Sequence, residues 1–234
     1  MKARFEELDF QQTPMGELML RRRTEVGTGT DIYEVKLGEE FLMSSLFTVA
    51  EEQMATLGLA AAAGDELDVL VGGLGLGYTA VTALGDPRVR SLEVIDALGV
   101  VIGWHQRKLL PVSPALVEDP RTRLRRDDFF AVVRQAPAAD APRYDVILLD
   151  VDHSPRHTLA PSHADLYTAP GLTALAEHLN DGGVFTLWSD DAPDEDFHAT
   201  LASVFADTQA HVVDFDNHLT GGTSSNTVYV GIRQ

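Results

Sequence analysis

Residues 69–80 read VLVGGLGLGYTA: a short, wholly apolar run, then Gly73-x-Gly75-x-Gly77, then residues that favour helix. An apolar run of this length is a strand buried on both faces, and closely spaced glycines behind it turn the chain tightly into a helix. The same alternation continues outward. Apolar strands are predicted at Ser91–Ile95, Val146–Leu149 and Val184–Trp188, with a shorter one near Arg123–Arg125. Helical spacing separates them at about 78–84, 100–110, 129–135, 172–179 and 197–205, and two closing strands follow at 211–215 and 227–232. Upstream, a helix over 50–63 precedes the glycines, and the earlier residues read as short strands at 17–22, 31–37 and 40–44 punctuated by glycine. The expected fold is α/β: a doubly wound, mostly parallel Rossmann-like sheet over residues 50–234, behind a small β extension at residues 1–49. Trp104 and Trp188 are expected in its core.

Composition narrows the chemistry. The 234 residues carry no cysteine, so disulfides, thiolate nucleophiles and thiolate metal sites are excluded together. A formal charge of −18 opposes phosphate backbones, and the one basic cluster, Arg21-Arg22-Arg23, sits in a strand-like stretch, so nucleic acid is not an expected partner. No apolar run reaches membrane-spanning length and the first residues are acidic, which predicts a soluble, cytoplasmic protein with no membrane attachment.

In an open parallel sheet, ligands bind beyond the carboxyl ends of the strands. Gly73, Gly75 and Gly77 lie at such an end, where bare main chain and the amides of a following helix can meet a ligand. Asp96 closes the next strand roughly 20 residues on, the distance at which a carboxylate accepts ribose hydroxyls. Asp128 follows the third strand, placed for the exocyclic amine of a base that Phe129 would flank. Each of these acids also reads as a helix cap. Together the positions predict an adenosine-bearing ligand, and the missing sixth-position glycine favours an S-adenosyl compound over a dinucleotide.

The stretch YDVILLDVDHSP ends its strand in Asp150, then Asp152 and His153. Close carboxylates there can grip an ammonium ion, and one can take its proton as the amine becomes a nucleophile. Asp190 and Asp191 end the fifth strand on the same edge, while Asp194 and Glu195 read as the start of the next helix. His153, His157 and His163 fit no zinc spacing, so no metal is expected.

The order of these motifs resembles the spermidine synthase (polyamine aminopropyltransferase) family. It runs through a small β piece, a glycine turn, an acid, Asp-Phe, Tyr144-Asp145-Val146-Ile147 leading to Asp150, and ADLYTAPGLTALAEHLNDGGVF at 164–185. The match spans roughly residues 30–232, and the family shares its methyltransferase-like fold with class I methyltransferases. The resemblance implies Asp150 as acceptor of the amine proton, Asp96 on the ribose, Asp128 on the adenine and a homodimer. It also aligns the family's Tyr-Pro-Ser-Gly stretch with His218-Leu219-Thr220-Gly221, making His218 a substrate-binding candidate with Asp190. The chain departs from the pattern at Leu76, where the family has the aspartate that meets the aminopropyl ammonium. It departs again at Asp152-His153, where the second carboxylate is shifted, and at Met43-Ser44-Ser45, in place of residues lining the diamine channel. The expected activity is transfer of an aminopropyl group from decarboxylated S-adenosylmethionine to a small cationic amine. The alternatives are a methyltransferase using S-adenosylmethionine itself, and a homologue that binds an adenosyl ligand without turnover.

Overall fold

The computed structural model describes residues 4–13, 15–217, 219 and 221–234. Strands β1 (Phe5–Thr13), β2 (Gly16–Thr24), β3 (Asp31–Leu37) and β4 (Glu40–Ser44) form an antiparallel meander in chain order. β1 carries no sequence signal because it is a largely exposed edge strand that lacks the half-buried alternation of β2. The Arg21–Arg23 cluster is spent inside this sheet: Arg21 and Arg23 each bond Glu34 at 2.7 Å, and Arg22 bonds Glu6 at 2.6 Å.

Helix α1 (Val49–Ala61) leads into the main sheet, whose strands are β5 (Leu67–Gly72), β6 (Val89–Asp96), β7 (Thr122–Arg126), β8 (Tyr144–Leu149), β9 (Leu179–Ser189), β10 (Ala206–Asn217) and β11 (Gly222–Ile232). Their order is β10-β11-β9-β8-β5-β6-β7, parallel from β9 to β7, with β11 and β10 added antiparallel. Helices α2 (Tyr78–Leu84), α3 (Gly99–Gln106), α4 (Ser113–Val117), α5 (Phe129–Arg134), α6 (Ala169–Ala176) and α7 (Glu195–Ala202) cover the faces. Strands buried on both sides explain the unbroken apolar runs. Val69, Val71, Val146 and Leu148 enter the layer shared with α1 to α3, while Leu70, Ile147 and Leu149 enter the layer under α5 to α7. The fold is therefore the expected Rossmann-like α/β sheet with an antiparallel sheet before it.

The helix expected over 172–179 instead occupies Ala169–Ala176. Thr168 caps it through the Gly171 amide, Pro170 fits its first turn, and Leu179 already belongs to β9. Trp104 is fully buried as expected, and its indole N–H donates to Asp9 at 2.7 Å, pinning β1 to α3. No helix among the described residues is long and apolar enough to cross a membrane.

The order reversal at β5, flanked by β6 and β8, places the site. There the main chains approach so closely that a Cβ on Gly73 would lie 2.0 Å from the Asp150 carbonyl oxygen, at a φ of +93° that L side chains rarely adopt. Gly73→Ala should therefore destabilise the fold by about 3 kcal/mol or more, read as a lowered midpoint in urea unfolding. Gly103→Ala, in α3 with nothing within 4 Å of the added carbon, should leave the midpoint unchanged or raise it by about 0.5–1 kcal/mol.

Candidate functional site

Gly73, Gly75 and Gly77 form the loop between β5 and α2, all at positive φ. The Gly73 amide donates to the Ile95 carbonyl at 2.9 Å, and the Asp150 amide donates to the Gly72 carbonyl at 2.8 Å, so the loop is stitched to both neighbouring strands. The need for glycine is internal at two of the three positions. A Cβ on Gly73 would strike Asp150, and one on Gly77 would come within 2.7 Å of the His105 ring. All three glycines line the cleft, and Gly75 does so where the two halves of it meet, with Met43 of β4 3.1 Å from the position of its absent Cβ.

His105 holds this loop from behind. It is fully buried, and since a carbonyl can only accept, Nε2–H donates to Gly75 O at 3.0 Å while Nδ1 accepts from the Ser113 hydroxyl at 3.1 Å. Burial lowers its pKa and keeps the ring neutral, with the Gly75 bond opposing.

Two cavities of about 310 and 300 Å³ meet along Leu42, Met43, Gly75, Asp150, Val151 and Leu159. The smaller is lined by Ile95, Asp96, Leu98, Val101, Asp128, Phe129 and Phe130, with Ser162 and His163 opposite. Asp96 accepts the Leu98 amide at 2.7 Å and the Leu74 amide at 3.0 Å, fastening the glycine loop to the start of α3. Burial raises its pKa against those bonds, and ribose hydroxyls would use its remaining lone pairs. Asp128 caps α5 through the Ala131 amide at 3.2 Å and also lines the same cavity, so capping does not remove it from the cavity wall. Phe129 is buried beneath Gly72, whose added Cβ would sit 2.7 Å from its ring.

The larger cavity contains Asp150, Asp190 and His153 from the expected set. Asp150 Oδ2 accepts the Thr79 hydroxyl at 2.7 Å. Asp190 accepts from Asn226 Nδ2 at 2.7 Å, and its amide donates to the His153 carbonyl at the same distance. His153 Nε2 reaches Glu40 Oε1 at 3.2 Å, linking the start of β4 to the loop after β8.

Asp152 does not join them. Its side chain is 0% exposed and lines neither cavity. It accepts from the Leu159 amide at 2.7 Å, Tyr167 Oη at 2.7 Å and His163 Nδ1 at 2.8 Å. Its neighbours consume the carboxylate, so the expected grip on an acceptor amine is corrected to a structural hold on the loop 159–167. His218 lies outside the described residues. The three histidines weighed as metal ligands go separately to Glu40, Asp191 and Asp152.

Two lining residues were not anticipated in their roles. Trp188, expected in the core, is half-buried against the larger cavity. Glu51 lines it as well, projected from the first turn of α1. In the sequence Glu51-Glu52 looks like an ordinary acidic helix start, and only α1 packing beside β8 and β9 brings it to Asp150. Burial, then the neighbouring Asp150, Glu52 and Asp190 carboxylates, push Glu51 up to about 8. Burial pushes Asp150 up to about 6 against its Thr79 bond.

No protein-family model matches the chain. Over 116 residues it is 33% identical to putrescine N-methyltransferase 2 of Nicotiana tabacum and to putrescine N-methyltransferase 1 of Nicotiana attenuata. Those matches cover 50% of this chain and 28–30% of the relatives. Among solved structures, spermidine synthase of Thermotoga maritima superposes with a TM-score of 0.73 at 17% identity, covering 97% of this chain and 72% of that one. A spermidine synthase in complex with the transition state analogue AdoDATO gives 0.76 at 18%, covering 97% and 74%. Human methyltransferase-like protein 13 in complex with SAH gives 0.59 at 18%, covering 79% and 82%. The chain thus has the spermidine synthase-like, methyltransferase-type fold that its motif order suggests.

Proposed function

We propose that the chain is a transferase that moves an alkyl group from an S-adenosyl sulfonium to the nitrogen of a small cationic amine, the aminopropyl group of decarboxylated S-adenosylmethionine being the group transferred. One observation carries this reading: Glu51, Asp150 and Asp190 line a single cavity that, among the described residues, holds neither Lys nor Arg and opens at Gly75 onto the cavity of Asp96 and Asp128. Carboxylates gathered without a counter-ion favour a cationic occupant. The spermidine synthase and N-methyltransferase likenesses support the sulfonium and the amine. A homodimer and a cytoplasmic location belong to the same proposal.

In the reaction an ammonium enters among the carboxylates and gives one proton to Asp150. The freed lone pair forms the new N–C bond as the C–S bond breaks, and the bonding pair passes to sulfur, leaving neutral methylthioadenosine. Sulfonium supplies the leaving group, so the protein contributes orientation and a proton acceptor. Thr79 holds Asp150 Oδ2 and leaves Oδ1 for the amine. Leu76 removes the charge that the family offers the aminopropyl ammonium, and Glu51, which lines the same cavity, returns a carboxyl group that a bound ammonium would draw into its ionised form.

A second reading, methyl transfer from S-adenosylmethionine, is favoured by Leu76 and by the putrescine N-methyltransferase similarity. Atoms balance identically, with S-adenosylhomocysteine leaving. Product analysis separates the two. With decarboxylated S-adenosylmethionine and a panel of amines the protein should release methylthioadenosine; S-adenosylhomocysteine formed only from the carboxylated donor would establish the second reading. Asp150→Asn should lower turnover by about 10²–10⁴-fold with bound methylthioadenosine retained. Binding without product from either donor would reject both reactions.

Two pH effects follow. The acid limb of kcat/KM should fall near pH 6, where Asp150 titrates in the free protein, and Thr79→Val should move that limb upward by removing the bond that lowers the value. Glu51 is raised from 4.5 to about 8, so between those values the unfolded chain ionises first and the folded protein loses stability as pH rises. Glu51→Gln should therefore unfold at a higher temperature than the parent at pH 8 and at a similar one near pH 4.5. The difference should be about 2–4 °C for each 1 kcal/mol relieved, read by differential scanning calorimetry.

A further inference from the structure

The shifted second half of the catalytic motif leaves Asp152 facing inward, and what it holds there is His163. Asp152 accepts three hydrogen bonds, from Leu159 N–H, Tyr167 O–H and His163 Nδ1, at 2.7, 2.7 and 2.8 Å. An ionised carboxylate only accepts, so the imidazole carries its proton on Nδ1. In the neutral ring Nε2 then presents a lone pair, for which no hydrogen-bond partner stands among the described residues.

The ring itself is fixed. It lies flat on Phe130, centroids 3.7 Å apart and planes 9° from parallel, and its side chain is 13% exposed. His163 lines the cavity that also contains Asp96, Asp128 and Phe130. A ring clamped on one face by a phenyl group and at one nitrogen by a sealed carboxylate is preorganised to offer the other nitrogen as an acceptor.

From this arrangement we infer that His163 is a specificity residue for the nucleobase: Nε2 accepts a hydrogen bond from the exocyclic amine of adenine, alongside Asp128. The inference rests on the adenosyl reading of this cavity given above. Adenine offers two N–H donors at that position, one for each acceptor, whereas hypoxanthine places a carbonyl oxygen there. That oxygen would face two acceptors and leave both unpaired, the situation in which a polar site rejects an analogue most strongly. Asp152 is a positioning residue in this account, acting through His163.

Calorimetric titration of the full chain with 5′-methylthioadenosine and 5′-methylthioinosine tests it. The parent protein should bind the adenine compound at least about tenfold more tightly. His163→Phe keeps a ring on Phe130 but lacks Nε2, and should bring the two affinities within about threefold, mainly by weakening the adenine compound. A folded variant that retains the parental ratio overturns the assignment. Should that variant not fold, long-range proton–nitrogen spectra of the parent imidazoles decide. The expected result is one histidine in the Nδ1–H tautomer whose Nε2 resonance moves with methylthioadenosine and not with methylthioinosine, and no such histidine overturns the inference. Failure of the parent to bind either nucleoside sinks the adenosyl reading as well, whereas equal binding of both sinks only the role of His163.

Discussion

The main-chain contact between the ends of β5 and β8 is the constraint on which the site depends. Asp150 N–H bonds Gly72 O, and the Asp150 carbonyl occupies the space that any side chain at Gly73 would need. This approach puts a carboxylate and a loop of bare backbone at one point in the cleft, without requiring either to be flexible. Asp96 fastens the loop through the Leu74 amide and His105 through the Gly75 carbonyl, so the geometry is held from several sides at once.

Around that point the molecule divides its polar groups by what they already touch. Asp96, Asp128 and Asp152 satisfy main-chain amides or neighbouring side chains, and each makes the local fold more rigid. Asp150 and Glu51 stand together in one cavity with raised pKa values, and Asp190, tied to Asn226, lines it beside them. Gathering acids without a counter-ion costs stability in the free protein, a cost found where function requires charge to meet charge. Here a bound ammonium would relieve it.

Much of this was legible in advance, for reasons that differ by residue. The apolar runs at 69–71 and 146–149 announce strands buried on both faces, and glycines directly after one of them announce a tight turn at a sheet end. Asp96, Asp128 and Asp150 could be placed because each lies at or just past the end of a strand, and strand ends in a parallel sheet share one edge. β1 was not legible, since an exposed edge strand carries no alternation. Asp152 was misassigned because a two-residue separation from Asp150 does not say which way a loop side chain turns, and Tyr167 and His163, which capture it, lie 15 and 11 residues away.

Sequence alone determined the sheet, its edge, and the identities of the acids along that edge, because strand periodicity and glycine placement are local properties of the chain. Tertiary structure alone decided that Glu51 joins Asp150, that Gly73 and Gly77 answer to the protein's own packing, and that Asp152 serves His163. Those outcomes depend on contacts between segments distant along the chain, and no local pattern encodes the direction in which a side chain will find its partner.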